Sequence, residues 1–394
     1  MIDLAIVGGR IVDPAQGIDG IGTVTIDNGR IVSCGGETQG VRAAVEAREI
    51  IDATGLLVTP GLVDLHVHVY PGVSHYGVDP DEHCLRRGVT TAVDAGSAGA
   101  QTFPGLRRYV IERARTRTLA FLHVAVQGMI SALVGELEDS RWASPALAVA
   151  VANEHRDVVV GMKVRLGYQM VGQDAEPALR AARKAADRLE LPLMVHVIDM
   201  PQPISWLLPQ LGEGDIVTHC FHGSEGGTIL DGSGHLLPAV LAARERGVLF
   251  DIGHGVGSFA YRVARAALAQ GFPPDTISSD IHTYNVAGPV FDQPTTLSKL
   301  LHLGMPLPDV VRATTSAAAA ALRRADELGT LAAGREADVS VLELCSHPRV
   351  LVDAEEVGET AAEWLTPRFV VRRGVALELG LSANGQAAPS SSSA

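Results

Sequence analysis

Between Pro60 and Arg324 short apolar runs alternate with Ala-, Leu- and Arg-rich stretches, and this rhythm constrains the fold more than any other feature of the chain. The runs that read as strands are Leu62 to His68, Thr90 to Ala95, Leu119 to Val126, Val158 to Val164, Leu193 to Val197, Asp215 to His219, Val248 to Ile252 and Thr276 to Asp280. Helical segments such as Glu176 to Leu189 and Ala239 to Arg246 sit between most of them. Strands that alternate with helices imply right-handed βα units and a parallel sheet, hence an α/β fold. Eight such units across about 220 residues are what a closed (β/α)8 TIM barrel needs. An open doubly wound sheet is the alternative that this pattern leaves.

The flanks read differently. Leu4 to Val7 leads into Gly8-Gly9 and then Arg10 to Val12, and Thr23 to Ile26 is followed by Asn28-Gly29 and Ile31-Val32. An Asn-Gly pair between apolar runs is a strong hairpin signal, because both residues tolerate positive φ. Glu49 to Asp52 and Gly55 to Val58 read as a further strand pair in a small antiparallel module. After the barrel, Ala337 to Leu342 reads as a strand and Phe369 to Leu377 as a hairpin about Arg373-Gly374. The simplest account is one small β domain, a β-sandwich, built from both chain ends (1–59 with 326–380), with the barrel (60–325) inserted between them. The Ser/Ala-rich segment 381–394 reads as a disordered tail.

Composition narrows the partners. The chain has 394 residues and a net charge of −13, and only 4% of its residues are aromatic. That balance argues against nucleic acid and against an anionic membrane surface, and it leaves few rings for base stacking. No apolar run approaches the roughly 20 residues of a membrane span, and no basic leader precedes one. Four scattered cysteines without a CxxC fit a reducing cytoplasm. A small-molecule substrate and a homo-oligomer are expected.

Barrel active sites form at the C-terminal ends of the strands, and there the ionisable residues gather. His66 and His68 end the first run, and residues two apart on a strand share a face. Lys163 lies inside the apolar fourth run, Val160-Gly161-Met162-Lys163-Val164, where burying an ammonium is costly. A lysine paired at the strand end is the plain reading. The functional one is a neutral amine that reacts with carbon dioxide to give a carbamate, an anionic ligand with two oxygens. His196, His219 and Asp280 end the fifth, sixth and eighth runs. Imidazole and carboxylate donors suit divalent zinc, with manganese or iron as alternatives. Arg165 shares the face of Lys163 and could hold an anion, and His222 and His254, in glycine-rich turns, could contact substrate. His123, His282 and Tyr284 are weaker candidates.

With these residues in place, the chain resembles the metal-dependent amidohydrolase superfamily from about Leu4 to Leu377. Gly8-Gly9-Arg10-Ile11-Val12-Asp13 is similar to its opening strand, and the stretch from Val58 to His68 to its first-strand signature. The stretch from Gly329 to Asp338 is similar to its return to the small β domain. The order HxH, Lys, His, His, Asp resembles the binuclear subtype with a carboxylated lysine, which includes dihydroorotases and hydantoinases. Gly161 to Arg165, Thr218-His219-Cys220-Phe221-His222-Gly223 and Asp251 to Phe259 most resemble the deacetylase branch, whose members are often labelled dihydroorotases. No Arg follows His68 in the HxHxR manner; Tyr70 stands there.

The resemblance implies a hydrolase that cleaves an acyl, in particular acetyl, ester or amide of a small α-substituted carboxylic acid. It implies two zinc ions held by His66, His68, Lys163, His196, His219 and Asp280. A hydroxide held between them would attack, with Asp280 as the catalytic base. A cyclic amidohydrolase of the dihydroorotase or hydantoinase type is the second enzymatic reading. A scaffold that has lost its ligands is the non-enzymatic one, and it requires ligands to be missing that are all present here.

Overall fold

The computed structural model describes residues 1–36 and 46–379. The tail expected at 381–394 lies outside the described residues.

Seven strands form one parallel sheet in chain order: Leu62–Val67, Val89–Gly99, Arg117–His123, Val159–Arg165, Leu193–His196, Ile216–Thr218 and Leu249–Asp251. They are buried almost throughout and rich in Val, Leu and Ala, as expected of parallel strands covered on both faces. The eighth run is not a regular strand, which corrects the expectation for Thr276 to Asp280. Asp280 takes a left-handed backbone, φ 50°, which breaks the extended geometry. The segment nevertheless closes the barrel. Ile252, His254 and Gly255 donate their N–H groups to the carbonyls of Thr276, Ser278 and Ser279. On the other edge Asp280 N–H donates to His66 O at 2.7 Å, and His68 N–H to Ile281 O at 3.0 Å.

The helix Glu176–Leu189 shows why the outer layer forms. Ala178, Leu179, Ala182, Ala185, Ala186 and Leu189 recur at helical spacing and are buried, while the charged residues lie on the other face. Pro177 enters in the first turn, where a missing N–H costs nothing, and Glu190 closes the helix in the left-handed region. No described helix is long and apolar enough to cross a membrane.

Strands from both chain ends share a second sheet of eight strands, with its own core of residues such as Leu4, Ile6, Val24, Ile26, Val339 and Val371. The Asn28-Gly29 hairpin forms as expected, with φ of 49° and 72°. Gly8-Gly9 makes a bulge inside one continuous strand, Ile2–Asp13: the register shifts between Val7 and Gly9, and Gly8 takes φ 74°. One local expectation fails. Ala47–Asp52 and Leu57–Pro60 do not pair with each other. Each runs parallel to a different half of Ile2–Asp13, so the sheet is mixed.

Candidate metal centre and active site

The six expected ligands meet in one cavity of about 280 Å³ at the C-terminal mouth of the barrel. His66 and His68 project to the same side, as the strand period requires, with ring centroids 5.4 Å apart. Asp280 Oδ1 lies 3.4 Å from His66 Nε2 and 3.2 Å from His68 Nε2. The left-handed turn at Asp280 brings its carboxylate over the first strand. Lys163 is fully buried, with Nζ 3.3 Å from His66 Nε2 and 3.4 Å from Met194 Sδ. His219, also left-handed at φ 70°, packs 4.9 Å from His66 and 4.5 Å from His196, centroid to centroid.

For three of the rings the far side explains the orientation. His66 Nδ1 is 2.8 Å from the Thr218 hydroxyl, His68 Nδ1 is 2.9 Å from the Ser97 hydroxyl, and His219 Nδ1 donates to Gly253 O at 2.7 Å. With Nδ1 engaged, Nε2 is left to face the cavity. Burial, then the positive charge of Lys163 and the neighbouring imidazoles, holds His66 well below its ordinary pKa. Burial first does the same at His196 and His219 and brings His68 to about 3. All four are therefore neutral donors at pH 7.

A cation suits this arrangement. His66, His68 and Asp280 offer donor atoms within 4.8 Å of one another. Asp280 Oδ1 is a buried oxygen without a hydrogen-bond partner, surrounded by imidazole nitrogens. Burial pushes the Asp280 carboxyl up to about 6, and its neighbours His282, Lys163 and Arg165 oppose this only in part. Burial likewise lowers Lys163 to about 7. A neutral amine at that position is the form that reacts with carbon dioxide.

Arg165 forms part of the cavity wall. Its guanidinium is gripped by Glu136, Nε donating to Oε1 at 2.5 Å and Nη2 to Oε2 at 3.1 Å, and it lies 5.6 Å from the centre of the Tyr76 ring. Burial resists ionisation of Glu136, but the Arg165 charge and its hydrogen bonds, with His123 close by at 3.6 Å, outweigh it, so the carboxyl is held well below the usual range. Sequence reasoning missed Glu136. It sits in an irregular loop with no periodicity to single it out.

The other substrate candidates fall elsewhere. His254 does not line the cavity: Nδ1 donates to Gly255 O, Nε2 accepts from Lys299 Nζ at 2.7 Å, and the ring stacks on Phe259. His222 is buried and contributes no surface to the cavity. His282 does line it, 6.3 Å from His68, whereas His123 is buried beside Glu136 and Tyr284 is exposed.

Comparison with known proteins places this geometry. The chain is 37% identical to a deacetylase of Agrobacterium fabrum over 85% of its own length and 83% of the relative's. It is 35% identical to a deacetylase of Brucella anthropi over 82% and 80%. A dihydroorotase of Geobacter metallireducens matches at 39%, but over only 26% of this chain and 21% of that one. Two solved structures superpose closely. An adenine deaminase gives a TM-score of 0.87 at 30% identity, covering 96% of this chain and 100% of the other. A dihydroorotase gives 0.86 at 33%, covering 95% and 99%. With the family model matching residues 57–377 and relatives aligned over most of their length, the chain belongs to the amidohydrolase family.

Proposed function

We propose that the protein is a metal-dependent deacetylase that removes an acetyl group from an ester or amide of a small α-substituted carboxylic acid. The observation that carries this reading is the guanidinium of Arg165, locked by Glu136 in the wall of a cavity whose floor is a cluster of neutral imidazoles and one carboxylate. A fixed guanidinium suits a carboxylate partner, and a cavity of about 280 Å³ suits a small ligand. The deacetylase relatives match along most of their length, which supports the same choice.

In this reading His66, His68 and Asp280 would hold one divalent ion, zinc by its donors, and His196 and His219 a second, with Lys163, carboxylated on Nζ, supplying an anionic ligand. Such ions supply Lewis-acid polarisation of a carbonyl and water of lowered pKa. The protein's own groups do the rest. Asp280, as its carboxylate, takes the proton given up by the attacking water and passes it to the leaving oxygen or nitrogen. Arg165 anchors the substrate's carboxylate, so that the acyl carbon is presented toward Asp280. Residence in the cytoplasm and a homo-oligomeric state belong to the same proposal; all four cysteines are unpaired.

A cyclic amidohydrolase is the second reading, favoured by the dihydroorotase structure at 33% identity. Tyr70 argues against it. Standing where that branch carries an Arg, Tyr70 donates its hydroxyl to Thr102 O at 3.0 Å and does not line the cavity. Assaying the zinc-reconstituted enzyme on O- and N-acetyl α-substituted acids, their methyl esters and cyclic ureides separates the two. Acetate release that weakens when the carboxylate is esterified is expected. Ring opening of ureides with acetyl compounds untouched would reverse the assignment.

A further inference from the structure

The seventh strand contributes none of the six expected ligands, yet it ends in Asp251, a carboxylate with no exposed surface at the barrel's centre. Three hydroxyls converge on it. Thr276 donates to Oδ1 at 2.7 Å, and Thr218 and Ser278 donate to Oδ2 at 2.8 and 2.7 Å. Each hydroxyl has one proton, and giving it to Asp251 leaves the oxygen able only to accept. Thr218 Oγ1 must then accept the proton on His66 Nδ1, 2.8 Å away, so His66 Nε2 is bare. Ser278 Oγ in turn accepts the N–H of Gly253 at 3.1 Å. The carbonyl of the same Gly253 accepts from His219 Nδ1 at 2.7 Å, so His219 Nε2 is bare too. Gly253 is wedged between the two arms. A Cβ there would lie 2.4 Å from Thr218 Oγ1 and 2.7 Å from His219 Nδ1.

We propose that Asp251 is a positioning residue for one histidine in each of the two expected metal sites: it sets the tautomer of His66 through Thr218, and through Ser278 it holds the Gly253 backbone whose carbonyl orients His219. The proposal rests on the reading of His66 and His219 as metal ligands. Groups that orient a ligating imidazole affect metal affinity without touching the metal. Asp251→Asn offers an amide N–H where Oδ2 stood. That would turn the Thr218 hydroxyl around to donate to His66 Nδ1, moving the imidazole proton to Nε2, where it blocks a metal.

The test uses the full chain stripped of metal, with Thr218→Val, Thr218→Ser, Ser278→Ala and Asp251→Asn. Zinc affinity is read by competition with a chelator, histidine tautomers by ¹⁵N spectra of the rings, and folding by thermal melting. Thr218→Val should lose about 10- to 100-fold in affinity for one zinc, the range typical of such outer contacts, and His66 should leave its single Nδ1–H form. Thr218→Ser should restore both. Ser278→Ala should weaken the other zinc and disturb His219, and it reads that arm even if Asp251→Asn fails to fold. A folded Thr218→Val protein with wild-type zinc affinity and an unchanged His66 tautomer, together with a folded Ser278→Ala protein of wild-type zinc affinity, would overturn the proposal. His66→Ala separates the two layers. If it loses a zinc while Thr218→Val does not, the positioning role alone is wrong; if it keeps full zinc, the ligand reading is wrong.

Discussion

Arg165 and Glu136 are both buried at the cavity, and each is the other's main compensation. Removing one partner of a buried pair costs about 3–5 kcal/mol, since it strands the other charge. Glu136→Gln should therefore lower stability by an amount of that order. The pH dependence has a definite sign. The folded-state pKa of Glu136 is depressed, so its contribution is fully present above the unfolded carboxylate value of about 4.3. It is lost as pH falls from there through the lower folded value. Denaturant unfolding of the metal-free protein should show the wild type and Glu136→Gln converging as pH drops below that point. A gap independent of pH would refute the pairing. Lys163 gives a second prediction at this scale. Lys163→Ala should lose activity and regain part of it with added acetate or propionate, whose carboxylate can replace a carbamate. Lys163→Arg should not be rescued, because its guanidinium stays charged and fills the space. Wild-type turnover by Lys163→Ala would defeat the carbamate. Single residues were legible where chemistry and strand period coincide, as at His66 and His68. Glu136 was not, because a loop carries no period. His254 pointed elsewhere because its partner, Lys299, lies 45 positions away, a contact no local pattern shows.

The elements that carry the site owe their shape to glycines at close approaches. Gly96, at φ 91°, lies where a Cβ would come within 2.7 Å of Lys163 Cγ. Gly255, at φ 52°, lies where a Cβ would come within 2.5 Å of Asp280 Oδ2. Gly255→Ala should displace the Asp280 carboxylate and reduce kcat by at least tenfold, the equivalent of about 1.4 kcal/mol in the barrier. The alanine at positive φ also costs stability, by less than Glu136→Gln does. Steady-state kinetics and melting on the same preparation check this, and wild-type kcat would rule out the contact. Strand existence was readable from apolar runs, and seven of the expected barrel strands form. The eighth was misread as regular because an apolar run does not reveal a left-handed residue such as Asp280. The Gly8-Gly9 bulge has no mark of its own in the sequence: a glycine pair permits a turn or a bulge, and pairing with Ile18–Asp27 selects the bulge.

At the scale of the molecule, the return of the chain to its opening sheet is held by charge as well as by packing. Arg117, on the third barrel strand, reaches Glu336 and Asp338, and Arg372 on a C-terminal strand meets the same two acids. Losing hydrogen bonds to charged groups costs about 1.5–3 kcal/mol, so Arg117→Met should destabilise the whole protein by that order in denaturant unfolding. An unchanged midpoint would show that packing alone joins the two sheets. The shared sheet was legible because β signals return after the last helix. That Ala47–Asp52 and Leu57–Pro60 run parallel to the first strand was not, since pairing direction leaves no mark on composition.

The two-metal centre is tested most directly by diffraction from metal-loaded crystals at the zinc absorption edge. Two anomalous peaks about 3.5–4 Å apart, the usual spacing of two-metal sites, are expected, one against His66, His68 and Asp280 and the other against His196 and His219. Density should extend beyond Lys163 Nζ toward both. A zinc-loaded, active crystal with no anomalous peak in this cavity, or with two peaks and density ending at a bare Lys163 Nζ, would contradict it.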